Sequence, residues 1–519
     1  MVRYQSAQQI KIEEFKTPFE ANLDKSNRWV KLGEAIPWDK LAGIYYQAMS
    51  SDEGRPSIDA RRIIGAIIVK HKLNLSDEET VSQIQENPYL QYMLGYEIYE
   101  AKPVFSPTLF VEIRKRIGLE RFDKLTNHLI EEVFPKEKKS ISQTKSDGEN
   151  DNPNSGNGGK SEEDKSVEPE KHEEAKPENK GKLIIDATVA EQAIKYPTDL
   201  DLLNDSRQIS EKIIDKLFKA GLMAKKPRTY RREARKEYLA TAKKRKRTRK
   251  ELRKAIFKQL NYVRRNLRYI NKVMDARAWE VCPLNHNEQR KLWIIAEIYR
   301  QQREMFDKKE HSILNRIVSI SQPHVRPMVR GKEKKGTEFG AKIGVSLVEG
   351  FAKIDNLSWE SYNESQDLKP HVKNFNETWG HNPEVVISDT IYGNQSNRNY
   401  LKEEGIRYSG KPLGRPKKET AENQKEQKAE RERRKKEYRE RIPIEGKFGQ
   451  GKNGYRLNYI RAKRQDTSES WIASIFFVMN LLNMVTIQGK KINSTLKWLF
   501  WAQKSILSKA FFTIKQCYA

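Results

Sequence analysis

Between Pro135 and Lys182 the chain carries only two large aliphatic residues, Ile141 and Val167. Lys, Glu, Ser, Asn, Gly and Pro dominate the rest, as in SQTKSDGENDNPNSGNGGKSEEDK. So little apolar surface cannot offset the entropy lost on ordering a chain segment. The tract therefore predicts a disordered linker over residues 134–181, with separate folding units on either side. A length of 519 residues allows two to four domains. With 36% hydrophobic and 33% charged residues, a core must share the chain with long solvated stretches.

The first unit, residues 1–133, reads as all-α. Ser57 is placed to cap a helix whose apolar face is Ile58, Ile63, Ile64, Ile67 and Ile68. After the turn Leu73-Asn74-Leu75, Ser76 with Glu79 three residues on forms a capping-box signature for a second helix. Asn87-Pro88 closes that helix, Ser106-Pro107 opens another, and Gly118 is expected to stop it. Helix, tight turn, helix is compatible with DNA reading. It is equally compatible with a helical bundle used for dimerisation.

Net charge is +28, with an isoelectric point near 9.6. Such an excess calls for a polyanionic partner, nucleic acid first and an anionic membrane surface second. Two cysteines, Cys282 and Cys517, exclude a disulfide framework and a cysteine-rich zinc site. The N-terminal MVRYQSAQQIKIEEF has no apolar signal region. The stretch Trp471–Val485 is about 15 residues long and contains Asn480 and Asn483, short of the roughly 20 apolar residues of a span. It reads as a buried C-terminal helix. A cytoplasmic protein with no membrane partner is the expectation.

Order resumes at Lys182-LIIDATVA, a buried strand with Asp186 at its end. From Lys225 to Arg277 there are 22 Lys and Arg against 4 Asp and Glu. Ile256, Leu260, Val263, Leu267 and Ile270 recur at helical spacing within it, so the segment predicts one long amphipathic helix with a basic, phosphate-binding face. Arg264, Arg265 and Arg268 are its candidate DNA contacts. Two alternating runs, Phe339–Val348 and Phe351–Trp359, meet at Glu349-Gly350 and predict a β-hairpin. Val385, Val386 and Ile387 then form another buried strand, followed by Asp389. Arg415 to Glu437 has no large apolar residue and reads as an exposed charged excursion, helical at most transiently. Next comes YRERIPIEGKFGQGK, in which Glu445 stands alone among bases and glycines. Pro443 places the start of the Glu445 helix beside it.

Two strand-end aspartates and one glutamate from a packed helix can converge on a pair of divalent cations that clamp the oxygens of an in-line phosphoryl transfer. Oxygen donors suit Mg²⁺. No histidine or cysteine cluster suggests zinc. Each aspartate alone could be an N-cap or turn residue.

The run Tyr438, Arg441, Glu445, Lys452 matches the signature Tyr-x2-Arg-x3-Glu-x6-Lys, and the chain resembles the bacterial insertion-sequence DDE transposases that carry it. The stretches LIIDATVAEQAIKYPTDLDLLN, GAKIGVSLVEGF and VVISDTIYGNQSNRNYLKEEGIRYSGKPLGRP are also similar to that family. So is the N-terminal SIDARRIIGAIIVKHKLNLSDEETVSQIQENPYLQYMLGY. The resemblance implies an α/β, ribonuclease-H-like catalytic domain over 182–487 with a basic helical insertion at about 205–320, and a helical tail over 488–519. It implies a catalytic and metal-binding triad of Asp186, Asp389 and Glu445 using two Mg²⁺ ions, with Mn²⁺ able to substitute. It further implies cleavage at terminal inverted repeats and strand transfer into double-stranded target DNA by a homodimer in the bacterial cytoplasm, associated with the nucleoid. Tyr438, Arg441 and Lys452 would hold the DNA backbone near the cut. Two other functions fit the same residues less fully: a nuclease that cuts without joining, and a non-catalytic DNA-binding repressor.

Overall fold

The computed structural model describes residues 17–47, 49, 57–135, 178–276, 281–329, 336–415, 420 and 423–490. The expected linker falls almost wholly outside the described residues, as do Arg277, Cys517 and the expected tail beyond Lys490.

Among the described residues, the N-terminal part holds seven helices: α1 Pro18–Asn22, α2 Arg28–Ala35, α3 Trp38–Tyr46, α4 Ala60–Leu73, α5 Asp77–Glu86, α6 Pro88–Met93 and α7 Leu109–Val133. Helix α4 is capped by Asp59, whose Oδ1 accepts the Arg61 N–H at 2.7 Å, and not by Ser57. Ser76 caps α5 by accepting the Glu79 N–H at 3.1 Å. Gly118 does not stop its helix. It adopts φ 64° and kinks α7, which continues to Val133 because Phe122, Leu125 and Leu129 beyond the kink are buried.

The second unit is a mixed sheet of six strands. They are β1 Lys182–Glu191, β2 Arg326–Val329, β3 Thr337–Val348, β4 Phe351–Ser358, β5 Val385–Ile387 and β6 Arg407–Tyr408. β3 is antiparallel to β1 on one side and to both β2 and β4 on the other. β5 lies parallel to β1, and β6 parallel to β5. The β3–β4 hairpin turns at Glu349 and Gly350, both at positive φ (47° and 81°), as a tight two-residue turn requires. Helix α12, Leu368–Trp379, covers one face, packing Leu368, Val372 and Phe375 with Leu183 and Ile185 of β1.

Between β1 and β2 the chain leaves the sheet for four helices: α8 Asp199–Lys219, α9 Arg231–Ala242, α10 Arg249–Ala276 and α11 His286–Lys308. They carry a separate core, including Leu203, Ile214, Leu260, Val263, Leu267 and Ile295. The single long basic helix expected here is two. Lys243–Arg247 forms a run of five cations, and Thr248 then caps α10 afresh by accepting the Glu251 N–H at 3.2 Å.

After α13, Gln395–Glu403, come α14, Gln424–Glu440, and α15, Ile442–Gly454. The charged excursion is thus helical over most of its length. Charge pairs hold it: Glu437 with Arg407 at 2.6 Å, and Glu440 with Lys182 at 2.9 Å, both across to the sheet. The last described element is α16, Gln465–Lys490, which is long and apolar enough to cross a bilayer, yet 72% of its most apolar window is buried. The N-terminal helices, β3, β4 and α16 share one hydrophobic core. Phe122 of α7 meets Phe477 of α16 at 5.8 Å between ring centroids. Asn480 exchanges two hydrogen bonds with the backbone of Ala352 in β4, at 2.9 and 2.7 Å. That exchange accounts for an asparagine in an apolar helix.

Candidate active site

The parallel pairing of β1 and β5 sets Lys182, Leu183 and Ile184 beside Val385, Val386 and Ile387. Continuing that register by two residues brings Asp186 level with Asp389. Asp186 was expected at a strand end. It sits within β1, because antiparallel pairing with β3 carries β1 on to Glu191 after β5 has stopped. Beyond β5, Asp389 is exposed, and its Oδ1 accepts the Thr390 N–H at 2.6 Å to cap a 3₁₀ turn over Thr390–Tyr392.

Glu445 arrives from the other side. Arg441 lies at the break between α14 and α15, and Pro443 starts α15, where its missing N–H costs nothing. Glu445 is therefore in the first turn, beside the fully buried Ile444 that anchors the helix. The Arg441 guanidinium donates through Nη1 to Asp186 Oδ2 at 3.1 Å and through Nη2 to Glu445 Oε1 at 2.5 Å. One cation thus joins a carboxylate of β1 to one of α15 across 259 residues of sequence.

The electrostatics gather the third acid. Burial raises the Asp186 carboxyl above its ordinary range; the Ala187 N–H and Arg441 oppose this, while Glu364 and Asp389 add to it. For Arg441, burial works against the charge, but Asp186, Glu445 and Asp389 outweigh it and raise its pKa. Sequence reasoning missed Glu364, which follows the hairpin in a 3₁₀ turn and pairs with Lys342 at 3.0 Å. No motif marks it. Only the packing of that turn near β1 brings its charge within reach of Asp186.

Tyr438 is 68% exposed, with the Arg441 guanidinium carbon 5.8 Å from its ring centroid. Lys452 lies farther along α15, its Nζ 3.4 Å from Glu338 Oε1 at the start of β3. The three insertion arginines are not alike. Arg264 and Arg268 are exposed on α10. Arg265 donates to the Thr229 carbonyl at 2.9 Å and lies over the rings of Tyr230 and Tyr262, tying α10 to the start of α9. Among the described residues, no group of three or more His, Cys, Asp or Glu side chains is close enough to hold a metal ion, and Arg441 stands between two of the expected ligands.

Two family models match the chain, both describing transposases. A "Transposase DDE domain" covers residues 386–482, which contain Asp389, Glu445 and the whole Tyr438–Lys452 run. A "Transposase domain (DUF772)" covers residues 17–116, the greater part of the N-terminal helical unit. Over these two stretches the chain is similar to transposases, the second match carrying the N-terminal helices and the first the region of Asp389 and Glu445. Over 188 residues it is 27% identical to "Uncharacterized protein ORF8 in nfe locus" of Rhizobium meliloti, spanning 36% of this chain and 72% of that protein. No solved structure matches the chain.

Proposed function

We propose that this protein is the transposase of a bacterial insertion sequence, binding the element's terminal inverted repeats as double-stranded DNA, cleaving there, and joining the freed end to target DNA. The observation that carries this reading is the meeting of Asp186 and Glu445 on one guanidinium, with Asp389 level in the sheet register. The mixed sheet, antiparallel over β4, β3 and β1 and parallel over β1, β5 and β6, supports a ribonuclease-H-like catalytic domain.

The donor set is oxygen only, which suits Mg²⁺ or Mn²⁺. Arg441 acts as a stand-in cation for two of the carboxylates, since Asp186 and Glu445 both bond to it. Asp186, Asp389 and Glu445 would hold two ions, and when bound these would supply a clamp on the attacking and leaving oxygens of phosphoryl transfer. The chain's own contribution is positioning. β1 and β5 fix two carboxylates on a rigid sheet, and Ile444 pins the third. Lys452 and Tyr438, on either side of Glu445, line the approach for the DNA backbone. Arg264 and Arg268 on α10 extend a sequence-indifferent phosphate track. Residues 1–133 serve as the recognition and dimerisation unit, and 182–487 as the catalytic unit. A homodimer would hold both element ends, in the cytoplasm at the nucleoid.

Asp186→Asn, Asp389→Asn and Glu445→Gln test this reading. Each should abolish cleavage of an element-end duplex and strand transfer while leaving duplex binding largely intact, because affinity comes mainly from Lys and Arg. Full cleavage by any one variant removes that residue from the site. Cleavage without joining by the unmodified protein would make it a nuclease.

A further inference from the structure

In the free protein, Asp186 and Glu445 share one partly buried cation, Arg441, with Asp389 acting on it at longer range. Arg441 cannot release its proton to escape this setting, since guanidinium stays charged throughout the physiological range. Its side chain is 16% exposed, and both of its amino groups are engaged, one by Asp186 and one by Glu445. These are the same oxygens that a divalent ion would need.

The backbone makes the arrangement reversible. Arg441 sits at the joint between α14 and α15, so its side chain can swing without unwinding either helix. The neighbouring Tyr438 is exposed, and the Glu445 side chain is 52% exposed, so the Glu445 end of the bridge faces solvent. A DNA phosphodiester, with two anionic oxygens, can accept from both amino groups that now donate to two separate carboxylates.

Resting on the metal-dependent reading above, we infer that Arg441 is a guard on the site: it holds Asp186 and Glu445 in the free protein, and moves to a DNA phosphate so that the carboxylates are released to divalent cations only when DNA is bound. Metal and DNA then bind with positive coupling, each tightening the other by the same factor. This keeps a nuclease-capable site unloaded away from its substrate. Arg441 is a positioning residue in this role, since it acts through the two carboxylates.

The test is direct binding of Mn²⁺ to the full chain, read by electron paramagnetic resonance of the free ion, with and without a mixed-sequence DNA duplex. For the unmodified protein, DNA should tighten Mn²⁺ binding by roughly 5- to 150-fold, the ordinary range of coupling between sites. Arg441→Gln should bind Mn²⁺ without DNA more tightly than the unmodified protein, and DNA should add little. Arg441→Lys keeps the charge and should restore weak binding in the absence of DNA, provided circular dichroism shows each variant folded. If the unmodified protein binds Mn²⁺ equally well with and without DNA, the guard is refuted while the metal site stands. If Arg441→Gln gains no affinity without DNA, the guard is likewise refuted. If Mn²⁺ binds to none of these proteins under either condition, both the guard and the metal-dependent reading fall.

Discussion

Asp77→Ala should unfasten the seam between the N-terminal helices and the C-terminal helix. Asp77 opens α5 and holds two nearly buried cations, Lys70 of α4 at 2.8 Å and Arg114 of α7 at 2.7 Å. Both lie over the Trp471 ring of α16, at 4.3 and 4.8 Å. The pairing is lopsided. Burial works against the Asp77 carboxylate, but Arg114 and Lys70 more than offset it, and its pKa falls. Lys70 has the single carboxylate against burial and the like charge of Arg114, so its pKa drops from 10.5 to about 8. That drop corresponds to about 3 kcal/mol favouring the neutral amine in the folded state. Removing the carboxylate leaves two like charges buried together, which costs about 3–5 kcal/mol. The pH dependence has a definite sign. Between about 8 and 10.5 the unfolded chain binds the Lys70 proton and the folded chain does not. Stability contributed by this group therefore rises with pH across that window. The variant should show a larger rise, because its Lys70 is depressed further. Urea unfolding of the full chain at pH 7 and pH 9.5 measures both effects. A second readout is a protease site introduced between residues 140 and 170: after cutting, the two pieces of the unmodified protein should co-elute, held by the shared core, and those of the variant should separate. A loss under about 0.5 kcal/mol, the scale of an ordinary surface change, would refute the argument that these charges are buried and coupled.

Arg264→Gln with Arg268→Gln should weaken binding to all duplexes alike and lower the slope of log affinity against log salt by about 2, at about 0.9 per phosphate contact; an unchanged slope would show that this face of α10 meets no DNA. Arg265→Gln should instead destabilise the insertion, by about 1–3 kcal/mol for the lost charged hydrogen bond to Thr229, with little change in salt slope, as thermal unfolding and the same titration would show. Asn480→Leu leaves the Ala352 N–H and carbonyl unpaired at the buried edge of β4, and about 2–4 kcal/mol of stability should be lost. Unfolding with a midpoint equal to that of the unmodified protein would show that water reaches this edge.

Elements with local signals were legible from the residues alone. Ser76 before a first turn rich in carboxylates, Glu349-Gly350 between two alternating runs, and Pro443 ahead of Glu445 each impose their geometry on the nearest few residues. The same holds for Val385–Ile387 leading to Asp389, and for the Tyr438-to-Lys452 spacing. Decisions made by distant residues were not legible. β1 runs past Asp186 because β3 pairs with it as far as Glu191, and nothing within LIIDATVA reports that partner. Gly118 bends α7 without ending it, since the core takes up the apolar face on the far side. Arg415–Glu437 lacks any apolar stripe, so its helix depends on ion pairs to Arg407 and Lys182, which are remote in sequence. Glu364, in a turn with no motif, comes within reach of Asp186 only through packing. The bridge from Asp186 through Arg441 to Glu445 is likewise a product of long-range closure: the chain names the three residues, and the pairing of β1, β3 and β5 with α15 packed beside them decides that they meet.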